Sequence, residues 1–219
     1  MLRLSLVTAA ALRGGGAAPG AGAAAARLLR SSAAAASDGP TTATPPPDTA
    51  RGATADLADV FCPEPVDEVS QRKVQIMEPG VFKDLGGKLR FSGQVSTVKC
   101  FENNPLVRKA FEQPGNGRVL VVDGGGSRRC ALLGDNIAAM AVQNGWSGAI
   151  INGCIRDSAD IGRMALGVKA LGTHPLKSSK RDAGLADVPV TVGGVTVCPG
   201  DWVYADGDGI LVSKEPLSL

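Results

Sequence analysis

Two short, unbroken apolar runs constrain this chain more than any other feature. Residues 119–122 read Val-Leu-Val-Val and residues 149–152 read Ala-Ile-Ile-Asn. A run of this length without polar alternation belongs to a strand covered on both faces. The neighbouring segments are equally short. Residues 88–100 alternate apolar and polar side chains (Leu89, Phe91, Gly93, Val95, Thr97), as a half-buried strand does. Residues 188–198 hold two alternating segments around Gly193-Gly194, the composition of a hairpin, and residues 202–205 and 210–212 flank another Gly-rich turn. Helical candidates lie at 106–112, 135–144 and 158–165. Strands outnumber helices, and no internal repeat of useful length is present.

The charge is unevenly placed. The formal net charge is +2, but residues 1–50 carry four Arg and two Asp, whereas residues 51–219 carry 19 basic and 19 acidic side chains. A neutral body argues against a partner whose phosphates must be neutralised over a broad surface, so no nucleic acid is expected. No stretch approaches eighteen consecutive apolar residues, so no membrane partner is expected either. Residues 1–50 contain 16 alanines, Arg3, Arg13, Arg27 and Arg30, and no acidic residue before Asp38. That is the composition of an organelle transit peptide, with a mitochondrial destination favoured over a plastid one by the arginines near the start; without such an address the chain is cytoplasmic. A Pro-rich linker follows, so residues 1–53 are expected to be leader and linker and residues 54–219 the folded domain. The five cysteines form no Cys-x-x-Cys pair and leave an odd one over, which points to reduced, mostly buried thiols.

Three places carry candidate chemistry. Asp123-Gly124-Gly125-Gly126-Ser127 follows a buried run and reads either as a tight turn or as a close backbone approach to an anion; it lacks the Gly-Lys-Ser/Thr ending of a nucleotide loop. In Gly134-Asp135-Asn136-Ile137, Asp135 is placed as the N-cap of a helix that Gly145 stops. That helix start either is simply capped or presents backbone N–H groups to a small carboxylate. The second apolar run leads into Arg156-Asp157, side chains expected to point in different directions. They read either as a structural pair in a turn or as a guanidinium fork for an anionic oxygen beside a hard oxygen ligand for a divalent cation. The lone His174 reads as structural. Lys177 and Lys180 sit in a polar basic run, where nothing lowers a lysine pKa for Schiff-base chemistry.

Gly134-Asp135-Asn136-Ile137 and Arg156-Asp157, with twenty residues between Asp135 and Arg156, resemble the Asp-x20-Arg-Asp signature of the class II 4-hydroxy-4-methyl-2-oxoglutarate aldolases, relatives of the bacterial regulator of ribonuclease activity A. The resemblance continues in order through Thr97-Val98-Lys99-Cys100-Phe101-Glu102-Asn103-Asn104, Arg118-Val119-Leu120-Val121-Val122-Asp123-Gly124-Gly125-Gly126-Ser127, Asn144-Gly145-Trp146 and Pro199-Gly200-Asp201, and covers about residues 55–215. It implies a strand-rich single α+β domain of the swivelling β/β/α kind, assembled as a ring-shaped homotrimer with active sites at subunit interfaces.

It further implies a lyase that depends on a divalent metal, Mg²⁺ or Mn²⁺. Such an enzyme cleaves 4-hydroxy-4-methyl-2-oxoglutarate into two pyruvates and decarboxylates oxaloacetate; the alternative is a non-catalytic regulator that binds a ribonuclease. By resemblance, Asp157 holds the metal, Arg156 binds the 2-keto acid and stabilises its enolate charge, and Gly134, Asp135, Asn136 and Ile137 receive the substrate carboxylate. Asp135 also positions a water for proton transfer. Some longer members bring an acidic residue from a C-terminal extension to a neighbouring subunit's site; the ending here, four residues after Glu215, resembles the regulator as much as the longer aldolases.

Overall fold

In the computed structural model, which describes residues 52–62, 73–181 and 183–219, the first apolar run is β4 (Val119–Asp123). The second is the start of β6 (Gly148–Ile155). The leader and linker expected over residues 1–53 lie, up to residue 51, outside the described residues. Every residue of β4 is buried, and alternate side chains enter different cores: Leu120 and Val122 face one, Val119 and Val121 the other. In β6, Ala149, Ile151 and Ile155 share the first core and Ile150 the second. Both runs are therefore covered on two faces, as their unbroken apolar character requires.

The strand β3 (Phe91–Lys99) joins two halves of a mixed sheet. Its first residues pair antiparallel with β11 (Trp202–Ala205), and its later ones pair parallel with β4. From β11 the sheet continues through β12 (Ile210–Ser213) to β1 (Val74–Ile76). From β4 it runs through β6 and β7 (Gly167–Thr173) to β2 (Lys83–Asp84). Two short strands lie off this path: β5 (Ala131–Leu133) pairs with β6, and β8 (Leu185–Ala186) with β3. Helices α2 (Pro105–Phe111), α3 (Asp135–Gln143) and α4 (Ser158–Ile161) contribute Val107, Phe111, Ile137, Ala138, Ala141 and Ile161 to the first core. The hairpin β9 (Val190–Val192) and β10 (Val195–Val197) supplies the second core. The described residues thus form a strand-rich α+β domain. Helix α1 (Thr54–Phe61) packs Leu57 with Tyr204, Leu211 and Leu217 in a smaller third cluster.

Two expectations change. The 88–100 segment makes one isolated bridge, Lys88 with Gly167, becomes a continuous strand only at Phe91 and is not half-buried; within β3 only Gln94 and Lys99 are exposed. Its other non-apolar positions are Ser92, Gly93, Ser96 and Thr97, small enough to be enclosed, and Thr97 Oγ1–H donates to Val188 O at 2.6 Å. The helix expected over 158–165 ends at Ile161, because buried Leu166 and β7 draw the chain inward. Tighter turns follow, with Arg163 N–H on Asp160 O and Met164 N–H on Ile161 O, each 3.0 Å. Strand β7 carries no clear pattern because Lys169 is buried in its middle, its Nζ 2.7 Å from Asp84 Oδ1. Among the described residues no helix is long and apolar enough to cross a membrane.

Candidate active site

The site is assembled where two neighbouring parallel strands end. β4 accompanies the first half of β6, and β5 then takes its place: Ala131 pairs with Cys154 and Leu133 with Ile155. Arg156 N–H donates to Leu133 O at 2.9 Å, so the residues that follow each strand, Gly134 and Arg156, start side by side. The carboxyl ends of parallel strands are where ligands bind in such sheets.

From β5 the chain passes directly into α3. Gly134 is extended (φ −134°, ψ 176°) and is the N-cap residue, its O accepting from Ile137 N–H and Ala138 N–H at 3.1 and 3.0 Å. Asp135 is therefore the first helical residue and not the cap expected from its type. Its Oδ1 accepts locally, from Asn136 N–H at 2.7 Å and Asn136 Nδ2–H at 3.0 Å. The carboxylate that meets the helix start comes instead from another strand: Asp135 N–H donates to Asp157 Oδ2 at 3.3 Å. A negative group is favoured there because the first N–H groups of a helix have no carbonyl one turn before them to pair with and lie at the positive end of the helix dipole.

Asp157 reaches that position through its backbone. It sits in the left-handed region (φ 55°, ψ 36°), which costs a non-glycine residue about 1–2 kcal/mol and is tolerated best by Asp and Asn. Its main-chain O caps α4, accepting from Asp160 N–H and Ile161 N–H at 3.0 Å, which leaves the side chain for α3. The turn also brings Arg156 and Asp157 together, with Nε 3.1 Å from Oδ2, where an extended segment would have splayed them. The two side chains are 37% and 33% exposed, so the ion pair contributes at most about 1 kcal/mol to stability. Two groups are left over: neither terminal nitrogen of Arg156 nor Oδ1 of Asp157 has a partner among the described residues.

Arg156 opens onto a cleft of about 370 Å³ that also holds Gly134, Asp135, Asn136 and Ile137. The structure adds residues that the sequence reading left aside: Asn104, Arg108, Lys177 and Lys180 line the same cleft. The basic run at 177–181 was the visible signal, but only its pairing with β5, Lys177 against Ala131, puts it beside Arg156.

The remaining candidates are occupied. The glycine triplet is a tight turn, Gly125 and Gly126 having φ of 66° and 68°. Its N–H groups serve protein acceptors, Gly124 and Gly126 on Asn152 O and Gly125 on Asp123 Oδ1. His174 Nδ1 accepts from Leu176 N–H at 3.1 Å. All five cysteines are free; Cys100, Cys130 and Cys154 are buried. Burial, and then the charge of Asp123, pushes the Cys100 thiol up to about 12, and burial likewise raises those of Cys130 and Cys154, so these remain protonated and poor nucleophiles.

The RraA-like family model, described as Aldolase/RraA, matches residues 54–212 and so includes both strand ends and the Arg-Asp pair. This chain belongs to the RraA-like family. Among its relatives is a protein of Alkalilimnicola ehrlichii named "Putative 4-hydroxy-4-methyl-2-oxoglutarate aldolase", 54% identical over 75% of this chain and 96% of its own length. A protein of the same name from Laribacter hongkongensis is 52% identical over 75% and 97%. The structure of the RNA-processing inhibitor RraA from Thermus thermophilis aligns with a TM-score of 0.70 at 43% identity, covering 77% of this chain and 96% of that one. A Geobacillus kaustophilus structure described as an S-adenosylmethionine:2-dimethylmenaquinone methyltransferase aligns with a TM-score of 0.68 at 51% identity, over 74% and 94%. RraA-like relatives thus carry the names of lyases, an inhibitor and a methyltransferase on one fold, and the choice among them rests on the site.

Proposed function

We propose that this RraA-like chain is a divalent-metal-dependent carbon–carbon lyase. It cleaves 4-hydroxy-4-methyl-2-oxoglutarate into two pyruvates and decarboxylates oxaloacetate. One observation carries the reading: a guanidinium and a carboxylate stand together at the end of β6, beside the start of α3, with the guanidinium opening onto a cationic cleft. Relatives named as aldolases support the lyase class.

The residues fit a hard cation that keeps much of its water. No group of three or more His, Cys, Asp or Glu able to hold a metal occurs among the described residues, so a closed zinc-type cage is not available. Asp157 Oδ1 offers a single unpartnered carboxylate oxygen, and magnesium is commonly held by one or two carboxylates plus substrate and water. A divalent cation there supplies Lewis acidity to polarise the keto oxygen. Arg156 turns its two unpartnered nitrogens toward the negative charge that develops on the substrate as the carbon–carbon bond breaks; one such donor contributes about 2.7–4 kcal/mol in other enzymes. The start of α3 favours the substrate carboxylate, which exchanges with the internal bonds now made by Asp135 N–H and Asn136 N–H. Asp135, exchanging its own bonds for a water, positions the proton that quenches the carbanion.

The test is pyruvate release from both substrates with Mg²⁺ or Mn²⁺, repeated with chelator. Asp157→Ala is expected to abolish the metal response, and Arg156→Ala to lower turnover about a hundredfold. No metal-dependent pyruvate above the spontaneous background overturns the reading. Inhibition of a ribonuclease in that case favours the second reading, a regulator, for which the likeness to the Thermus inhibitor speaks. An inhibitory surface has no physical need of an Arg-Asp pair held at a strand end with its guanidinium opening onto a cleft.

A further inference from the structure

The lysines of the cleft have no task in the chemistry assigned to Arg156 and Asp157. Four cations, Arg108, Arg156, Lys177 and Lys180, line it against one carboxylate, Asp135, in a body whose charges cancel as a whole. Two of the four are already engaged by carboxylates: Arg108 Nε lies 2.9 Å from Glu112 Oε1, and Arg156 holds Asp157. Lys177 and Lys180 have no carboxylate partner among the described residues.

Their placement is built by the fold. Lys177 pairs in parallel with Ala131, whose N–H donates to Leu176 O at 2.8 Å and whose O accepts from Ser178 N–H at 3.2 Å. Ala131 also pairs with Cys154 of β6, so β5 is flanked by the strand that leads to Arg156 and by the lysine segment. Two inter-strand spacings put the backbones of Cys154 and Lys177 about 10 Å apart. Lys180 is set by a second bridge, Asn103 with Ser179. Its Nζ lies 3.4 Å from Asn104 Oδ1, and Asn104 is fixed in turn by donating Nδ2–H to Leu132 O at 3.0 Å. The cleft therefore has one pole at Arg156 and the helix start, and a second, lysine pole anchored on the far side of the same short strand.

The geometry points to Lys177 and Lys180 as the residues that read the second carboxylate of a 2-keto dicarboxylate, making them specificity-determining. The inference rests on the reading of Arg156 and the start of α3 as the pole that takes the 2-keto acid end. A five-carbon chain bridges the two poles once a lysine reaches in from one side and Arg156 from the other. A monocarboxylate of equal length leaves the lysine pole unmatched and has less to gain from the site.

The experiment uses two ligands of one length in calorimetry with Mg²⁺: 2-oxoglutarate, and 2-oxopentanoate, in which methyl replaces the distal carboxylate. The wild-type chain is expected to bind the dianion about tenfold more tightly, the scale of one carboxylate meeting two partly exposed cations. In Lys177→Met/Lys180→Met the preference falls to within about twofold while 2-oxopentanoate affinity is unchanged; Lys177→Arg/Lys180→Arg retains the preference. Both lysines are exposed, so melting temperatures stay at the wild-type value. Equal wild-type affinities, or a preference that survives in the Met variant, overturns the inference. An equal loss of both ligands does so too, because the lysines would then serve the shared end. The underlying reading fails separately: Arg156→Ala weakens both ligands alike if it stands and neither if it does not. A wild-type preference without pyruvate formation leaves the lysine pole in place and removes the lyase.

Discussion

Replacing Gly134 by Ala tests whether the Arg156–Asp157 arrangement is the working geometry. The backbone permits any residue there, φ being −134°. What the glycine provides is room: a Cβ would lie 2.9 Å from Asp157 Oδ2, 3.1 Å from Arg156 Nε and 3.3 Å from Arg156 Cγ. Ordinary contact begins at 3.4 Å, so the carboxylate must retreat by about half an ångström and the guanidinium by slightly less. Both are ends of half-exposed side chains and move cheaply. The weaker capping by Ala, about 0.5–1 kcal/mol, is offset by the smaller entropy of the unfolded chain, about 0.4–1 kcal/mol. The melting temperature is therefore expected to stay within about 4 °C. Activity responds differently, because a misplacement of about 1 Å costs about a hundredfold in rate. Half of that predicts about a tenfold fall in kcat/KM, or about 1.4 kcal/mol of transition-state stabilisation. The assay is pyruvate release from oxaloacetate coupled to NADH oxidation by lactate dehydrogenase, with excess Mg²⁺ and the spontaneous rate subtracted, alongside a thermal melt. Wild-type kcat/KM in the variant refutes the assignment of the pair. A melting temperature lowered by more than about 10 °C refutes the claim that the glycine serves the site and not the fold.

Two further predictions concern the fold that holds the site. Burial alone would raise the Asp206 carboxyl, but bonds from Thr54 Oγ1–H (2.6 Å) and Thr54 N–H (2.8 Å), with those of Asp208 and Gly209 N–H, outweigh it and hold the group below the usual carboxylate range. A lowered folded-state value stabilises above the unfolded value of about 3.9 and ceases to as pH falls through the folded one, so the urea midpoint should drop below about pH 4 and drop less in Asp206→Asn. Equal slopes in the two proteins would disprove this. Phe91 is 1% exposed and its ring occupies the space beside Gly148 and Gly167, where a Cβ would collide with it. Phe91→Ala should cost about 3–5 kcal/mol in urea unfolding, and a loss under 1 kcal/mol would mean that the second core closes without the ring.

Much of the scaffold was legible because it is local. The unbroken runs at 119–122 and 149–152 became strands buried on both faces, and Gly193-Gly194 became the turn between β9 and β10. Gly145, with φ of 74°, follows the C-cap residue Asn144 of α3 as its type suggests. Less legible were β5 and β7, the first too short for a period and the second interrupted by the buried Lys169. At the site, residue types were informative and partners were not. Asp135 has the composition of a cap, yet the cap position fell to Gly134 and the carboxylate at the helix start to Asp157, 22 residues away.

The amino-acid sequence alone determined that the runs at 119–122 and 149–152 are buried strands, that a helix runs from about Asp135 toward Gly145, and that an Arg and an Asp follow a buried strand. Those features depend on side-chain period and on backbone preferences that act within a few residues. Tertiary structure decided that β5 replaces β4 beside β6, that the left-handed turn at Asp157 folds its carboxylate onto α3 and Arg156, and that Lys177 and Lys180 share the cleft. These are contacts between residues distant along the chain, set by strand pairing and by the need to satisfy a helix start, and no local pattern encodes them.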